Sequence, residues 1–150
     1  MRALLQRVTH SQVRVGDEVI GAIGRGLTIL LGIHSEDTPQ IAERMAEKIA
    51  QLRIFADTAG KTNLSAAEVG AEMLVISQFT LYADCRRGRR PGFSYAARPE
   101  IAEPLYEHFL AVLGRLGFRT ARGRFGAEMV VELANEGPFT LYLDSDEFEV

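Results

Sequence analysis

The chain has 150 residues, of which 47% are apolar and 25% charged, a composition and length that predict one globular domain, 1–150, with a substantial core. No apolar run approaches the roughly 20 residues that cross a bilayer, and the start, "MRALLQRVTH", lacks the apolar stretch of a signal peptide, so no membrane partner is expected. The single cysteine, Cys85, excludes an intrachain disulfide and points to a reducing compartment, the cytoplasm.

In chain order, "RALLQRVT" reads as a strand, and "SQVRVGDEVIGAI" as a hairpin around Gly16-Asp17. "GLTILLGI" (26–33) is a continuous apolar run of strand length, expected to be central and buried on both faces. In "DTPQIAERMAEKIAQLRIF", Thr38 suits an N-cap and Pro39 the first helical position, with Ile41, Met45, Ile49 and Leu52 at helical spacing. Residues 57–70 read as a polar loop. Its Gly60-Lys61-Thr62 lacks the upstream glycine and the strand-to-helix setting of a phosphate loop.

"EMLVISQFTLYAD" predicts one long strand, and "CRRGRRPGFSYAAR" a loop. A second helix opens at Pro99, with Ile101, Leu105, Phe109, Val112 and Leu116 inward and Gly117 as its stop. "EMVVELANEGPFTLYLD" predicts a closing hairpin, and the acidic end "DSDEFEV" a solvated tail. The order is that of a mixed sheet layered with two helices.

The net charge of −3 speaks weakly against nucleic acid, but its distribution does not. Between Arg86 and Arg124 stand nine arginines and no lysine, opposed only by Glu100, Glu103 and Glu107. Guanidinium forks suit phosphate, so this segment is either an RNA-facing surface or a set of solvated arginines.

One phrase occurs twice: "SQFTLYAD" at 77–84 and "GPFTLYLD" at 137–144. Strand alternation would set Phe79, Leu81 and Ala83 against Thr80, Tyr82 and Asp84, and the second copy likewise. The entrances differ. Ser77-Gln78 brings a hydroxyl and an amide; Gly137-Pro138 brings only carbonyls. His10, His34 and His108 lie in unrelated elements, no His/Cys cluster has metal-ligand spacing, and no Gly-x-Ser-x-Gly elbow is present. Any catalysis must rest on backbone donors, hydroxyls or the substrate's own groups.

Ser-Gln-x-Thr with Asn-x-Gly-Pro-x-Thr, together with "MRALLQRV" and "LLGI", resembles the D-aminoacyl-tRNA deacylase (D-tyrosyl-tRNA deacylase) family over essentially the whole chain. The resemblance implies a three-layer α/β/β fold and a homodimer with its active site at the subunit interface. It implies an aminoacyl-tRNA substrate, an ester hydrolase that proofreads translation, and no cofactor or metal. Ser77, Gln78, Phe79 and Thr80 would form the reaction side, with the Phe79 N–H as oxyanion donor. Gly137 and Pro138 would form a Gly-cis-Pro gate that rejects L-residues and admits D-aminoacyl and glycyl esters. Arg7 matches the family arginine that buttresses this gate.

Thr80 is open to two roles, nucleophile or orienting group. With no visible base for the threonine, orientation is favoured, the substrate's ribose 2′-hydroxyl assisting cleavage. Two other readings stand beside this one: a deacylase for achiral or misacylated tRNA, and a non-catalytic RNA-binding module.

Overall fold

The structure is a computed structural model that describes residues 1–149. Its principal sheet is mixed. Strand β1 (Arg2–Val15) pairs antiparallel with β2 (Glu18–Ile23) beyond Ser11, and with β3 (Gly26–Gly32) along Arg2–Val8. Strand β4 (Phe55–Ala56) and β5 (Thr62–Leu64) form a small separate hairpin, β5 within the predicted polar loop and β4 just before it. Strand β6 (Glu72–Ser77) lies parallel to β3, and β7 (Thr120–Arg122), a short strand the sequence did not announce, lies parallel to β6. Strand β8 (Val130–Asp144) pairs antiparallel with β1 along its free edge.

Helix α1 (Pro39–Gln51) connects β3 towards β6, and helix α2 (Pro99–Arg115) connects β6 to β7, the crossovers that parallel strands require. Thr38 caps α1 as expected, its Oγ1 accepting the Ile41 N–H at 3.3 Å. Gly117, at φ +94°, ends the turn after α2. Two of the residues expected on the inner face of α2 are instead exposed: Ile101 in its first turn and Leu116 just beyond its end. The burial is carried by Leu105, Tyr106, Phe109, Leu110 and Leu113.

Two apolar cores flank the sheet. Ala3, Leu5, Leu27, Ile29, Leu31, Met73 and Val75 face both helices. On the other face Leu74 and Ile76 meet Val8, Val13 and Ile23, because the far half of β1 and β2 curl back over the sheet. Burial on both faces explains why β3 and β6 are written as apolar runs rather than alternations. Helices, sheet and curled-back strands make the three layers. Among the described residues no helix is long and apolar enough to cross a membrane.

Three expectations need correction. The long strand expected over residues 72–84 stops at Ser77, and Phe79–Tyr82 form a 3-10 helix. The strand therefore does not present Phe79, Leu81 and Ala83 on one face. The close packing of Gly32 explains the bend: a Cβ there would lie 2.8 Å from Leu81 Cβ, so β3 ends on a glycine against which the helix settles. The expected closing hairpin is instead the single 15-residue strand β8, which pairs with β1 from Arg2 to Arg14.

The acidic end is docked rather than solvated. Asp144 accepts from Arg2 Nε at 3.0 Å, Ser145 Oγ accepts from the Met1 α-amino group at 2.7 Å, and Phe148 packs on the helix-side core. Val150 lies outside the described residues.

Candidate active site

The two entrances of the repeated phrase have become different structures. At the first, the 3-10 helix begins with Leu81 N–H donating to Gln78 O at 3.2 Å, followed by Ala83 N–H to Thr80 O at 3.0 Å. The N–H groups of Phe79 and Thr80 precede this ladder, as the first donors of any helix do. Gln78 is tied back to β3 by its own N–H, which donates to Leu31 O at 2.8 Å. Its side-chain Nε2 donates to Thr80 Oγ1. That hydroxyl thereby accepts from an amide, and its own proton is free to donate outward. No histidine or carboxylate bonds to Thr80 among the described residues.

Beside this corner lies a cavity of about 370 Å³, lined by Ser77, Phe79, Phe93, Ala102, Phe125 and the start of α2 at Arg98–Pro99. Phe79 is 55% exposed and meets Phe93 edge-on, ring centroids 5.0 Å apart. A pocket walled by three aromatic rings and small residues fits a flat, weakly polar group.

At the second entrance, β8 departs from its ladder. Asn135 pairs with Val8 and Thr140 with Gln6, so Glu136, Gly137, Pro138 and Phe139 together stand opposite Arg7 alone. The segment is a wide bulge, which is where a strand tolerates proline. Gly137 has φ +133°, and the Gly137–Pro138 peptide is cis. Both residues are exposed.

Two side chains hold the bulge. Arg7 donates from Nε (3.2 Å) and Nη2 (3.0 Å) to Glu136 O, and from Nη1 to Ile54 O at 2.7 Å; its guanidinium lies 4.6 Å from the Phe139 ring centre. Asn135 Oδ1 accepts the Phe139 N–H at 2.6 Å, and its Nδ2 donates to Thr140 Oγ1 at 2.9 Å. In the sequence Asn135 stands out only as the first residue of Asn-x-Gly-Pro-x-Thr. Its i to i+4 spacing from Phe139 was the available signal that it spans the bulge.

Within one chain the two entrances do not meet. Ser77 is on β6 and Gly137 on β8, with β1 and β3 between them. The histidines are dispersed as the sequence suggested: His10 is exposed, His34 stacks among tyrosines, and His108 Nε2 lies 3.0 Å from Glu43 Oε1. Among the described residues no group of three or more His, Cys, Asp and Glu side chains converges as metal ligands would.

The fold is that of the deacylase-type α/β proteins. A solved structure titled "Structural Analysis of a probable eukaryotic D-amino acid tRNA deacylase" superposes with a TM-score of 0.84, covering 95% of this chain and 97% of that one. At 18% identity it speaks for the fold alone. Another, titled "c-Myc DNA Unwinding Element Binding Protein", has a TM-score of 0.90 and 44% identity over 96% of this chain and 98% of that one.

The family model described as D-Tyr-tRNA(Tyr) deacylase matches residues 4–144, and the chain belongs to this family of enzymes. A protein of Roseiflexus sp. (strain RS-1) named D-aminoacyl-tRNA deacylase is 59% identical over 97% of this chain and 94% of its own length. One of the same name from Desulfatibacillum aliphaticivorans is 56% identical over 97% and 99%.

Proposed function

We propose that the chain, as one domain over residues 1–150, hydrolyses the ester of D-aminoacyl-tRNA in the cytoplasm, releasing the D-amino acid and the tRNA. The observation that carries this reading is the pair of backbone N–H groups at Phe79 and Thr80, left outside the 3-10 ladder beside an aromatic cavity. Ester hydrolysis builds negative charge on the carbonyl oxygen, and fixed N–H donors stabilise it at no cost in reorganisation. The cavity takes the terminal adenine, which places the acylated ribose at the mouth near Ser77 and the Phe79 N–H.

Thr80 orients. Its oxygen accepts from Gln78 and no histidine or carboxylate bonds to it among the described residues, so its proton is left to donate to the substrate or to an attacking water. The neighbouring ribose 2′-hydroxyl supplies the remaining assistance.

The bulge of β8 inspects. Gly137 offers exposed backbone with no side chain, and Arg7 and Asn135 fix its position. Because it lies strands away from Thr80 in the same chain, the inspecting segment comes from a second copy, making the enzyme a homodimer with a shared site. Exposed Val130 and Tyr142 on β8 are consistent with such a face. Fixed backbone at the acyl group rejects an L side chain by collision; a D side chain points away, and glycine, including glycine mischarged on tRNA for alanine, passes.

The arginine-rich loop and the 44% identity to the c-Myc DNA Unwinding Element Binding Protein favour a second reading, a non-catalytic nucleic-acid-binding module. One deacylation panel of D-, L- and glycyl-tRNA decides. The proposal expects cleavage of D- and glycyl-tRNA and sparing of L. Binding without cleavage selects the module, and cleavage of glycyl-tRNA alone selects a deacylase for achiral substrates.

A further inference from the structure

The loop that follows the 3-10 helix is more organised than a solvated arginine loop needs to be. Its two ends are closed by a pair of backbone bonds, Asp84 N–H to Gly92 O at 2.7 Å and Gly92 N–H to Asp84 O at 2.9 Å. Inside it Asp84 and Arg86 form a fork, Nε to Oδ1 and Nη2 to Oδ2, both at 2.8 Å. Arg86 Nη2 also reaches Tyr95 Oη at 3.1 Å. Arg86 is thus committed to the loop's shape, whereas Arg87 and Arg90 line an adjoining hollow of about 460 Å³ and have no carboxylate partner among the described residues.

Tyr95 is 45% exposed and lies nearly parallel to His34, at 15° and 6.3 Å between centroids; His34 in turn packs at 5.2 Å on Tyr82. Between these rings, Arg2, Asp84, Arg86 and Asp146 is a second cavity of about 400 Å³. It lies against the same two segments as the candidate active site, through different residues. Phe93 and Ala96 face the first cavity and Tyr95 the second; Phe79 faces the first and Tyr82 the second. The two cavities therefore lie side by side along one 3-10 helix, with the free arginines beyond them.

We propose that this face is a second nucleotide subsite, which takes the unpaired nucleotides preceding the terminal adenosine of the substrate tRNA. The proposal rests on the deacylase reading and extends it. An unpaired base stacks on Tyr95, whose opposite neighbour His34 keeps the ring upright. Base edges carry exocyclic amines, and the Asp146 carboxylate at the cavity wall is the matching acceptor. Arg87 and Arg90 hold the phosphates on the solvent side. The Asp84–Arg86 fork, which walls both hollows, holds these groups in position. This division of labour separates the arginines, which charge alone had left equivalent.

The test uses a fluorescent RNA minihelix with its single-stranded 3′ end intact, and the same minihelix trimmed to a blunt end. Wild-type protein is expected to bind the intact probe at least tenfold more tightly. Stacking contributes enough per base that Tyr95→Ala should weaken the intact probe by about tenfold and leave the blunt probe unchanged, while Tyr95→Phe, which keeps the ring, stays within about twofold of wild type. Arg87→Gln with Arg90→Gln removes two single-strand phosphate contacts, so the slope of log affinity against log salt should fall by about 1.4. Equal binding of the intact probe by wild type and Tyr95→Ala, or an unchanged salt slope in the double variant, overturns the subsite. Hydrolysis of D-tyrosyl-tRNA by wild type is measured alongside. Its presence with no Tyr95 effect overturns the subsite alone; its absence overturns the deacylase reading and the subsite with it.

Discussion

Arg7 is the side chain on which the bulge of β8 depends most directly. Truncation to alanine removes two donors to Glu136 O, one to Ile54 O and the contact with the Phe139 ring. Bonds from a charged donor are worth about 1.5–3 kcal/mol each. Two that share one carbonyl count roughly as one, and Arg7 is only half-buried, so water recovers part of the loss. The ring contact adds about 0.5–1 kcal/mol. The expected destabilisation is about 2–4 kcal/mol.

Arg7→Lys keeps the charge, but a single ammonium cannot serve Glu136 and Ile54 from the two ends of a planar fork, so about half the loss should remain. Urea unfolding, with the midpoint shifting at constant slope, reads the stability. Deacylation of D-tyrosyl-tRNA reads the function, which should fall at least tenfold for alanine with lysine intermediate. If Arg7→Ala unfolds within about 0.5 kcal/mol of wild type and keeps its kcat/KM, the bulge does not need its arginine and the inspecting role assigned to that segment loses its support.

Other outcomes follow from the same geometry. Thr80→Ala should retain hydrolysis, whereas substrate with a 2′-deoxy terminal ribose should be cleaved far more slowly; a dead alanine variant with an active deoxy substrate would establish the threonine as nucleophile. Gly137→Ala should destabilise by about 1–3 kcal/mol in urea, because φ is +133° and the new Cβ would sit 3.1 Å from Phe139 N and 3.2 Å from Arg7 Nη2. The Arg86 guanidinium holds the Asp84 carboxyl down at about 2. A depressed carboxylate contributes above its ordinary range and loses that contribution as pH falls through its folded value. The loop should therefore stay anchored at pH 3.5, and Arg86→Gln should raise the Asp84 titration, followed by carboxyl NMR, towards the ordinary carboxylate range, the residue-86 backbone N–H still holding part of the depression.

Much of this was written in local pattern. Both helices, the Gly16 turn and the central strands follow from periodicity, Thr38, Pro39 and unbroken apolar runs. What escaped was set by distant neighbours. Phe-Thr-Leu-Tyr is a 3-10 helix at 79–82 and strand at 139–142. Nothing within the tetrapeptide decides between them; the first copy bends because Gly32, on another strand, leaves room for Leu81. The Glu136–Phe139 bulge looked like a hairpin turn because glycine and proline mark both, and only the length of β1 distinguishes them. The docked end was missed because its acidic residues suggested solvent, while the anchors are Ser145 and Phe148. The family motif marked Ser77–Thr80 and Gly137–Pro138 as candidates, but no local pattern showed that β1 and β3 stand between them within one chain.

The termination of β6 at Ser77 has a further consequence, for heredity. A side-chain catalyst can be erased by almost any substitution of its residue, whereas the N–H proposed as oxyanion donor at Phe79 is present whatever side chain position 79 bears, proline excepted. Single-codon changes at 79 should accordingly yield a graded series, with proline alone at the floor. Lesions with all-or-none effect should map instead to Gly32, which carries no chemistry but whose Cβ would meet Leu81 at 2.8 Å and push the amide out of line. A mutational map of this enzyme would then place a highly sensitive codon on β3, outside the segment 77–80 proposed to meet the substrate.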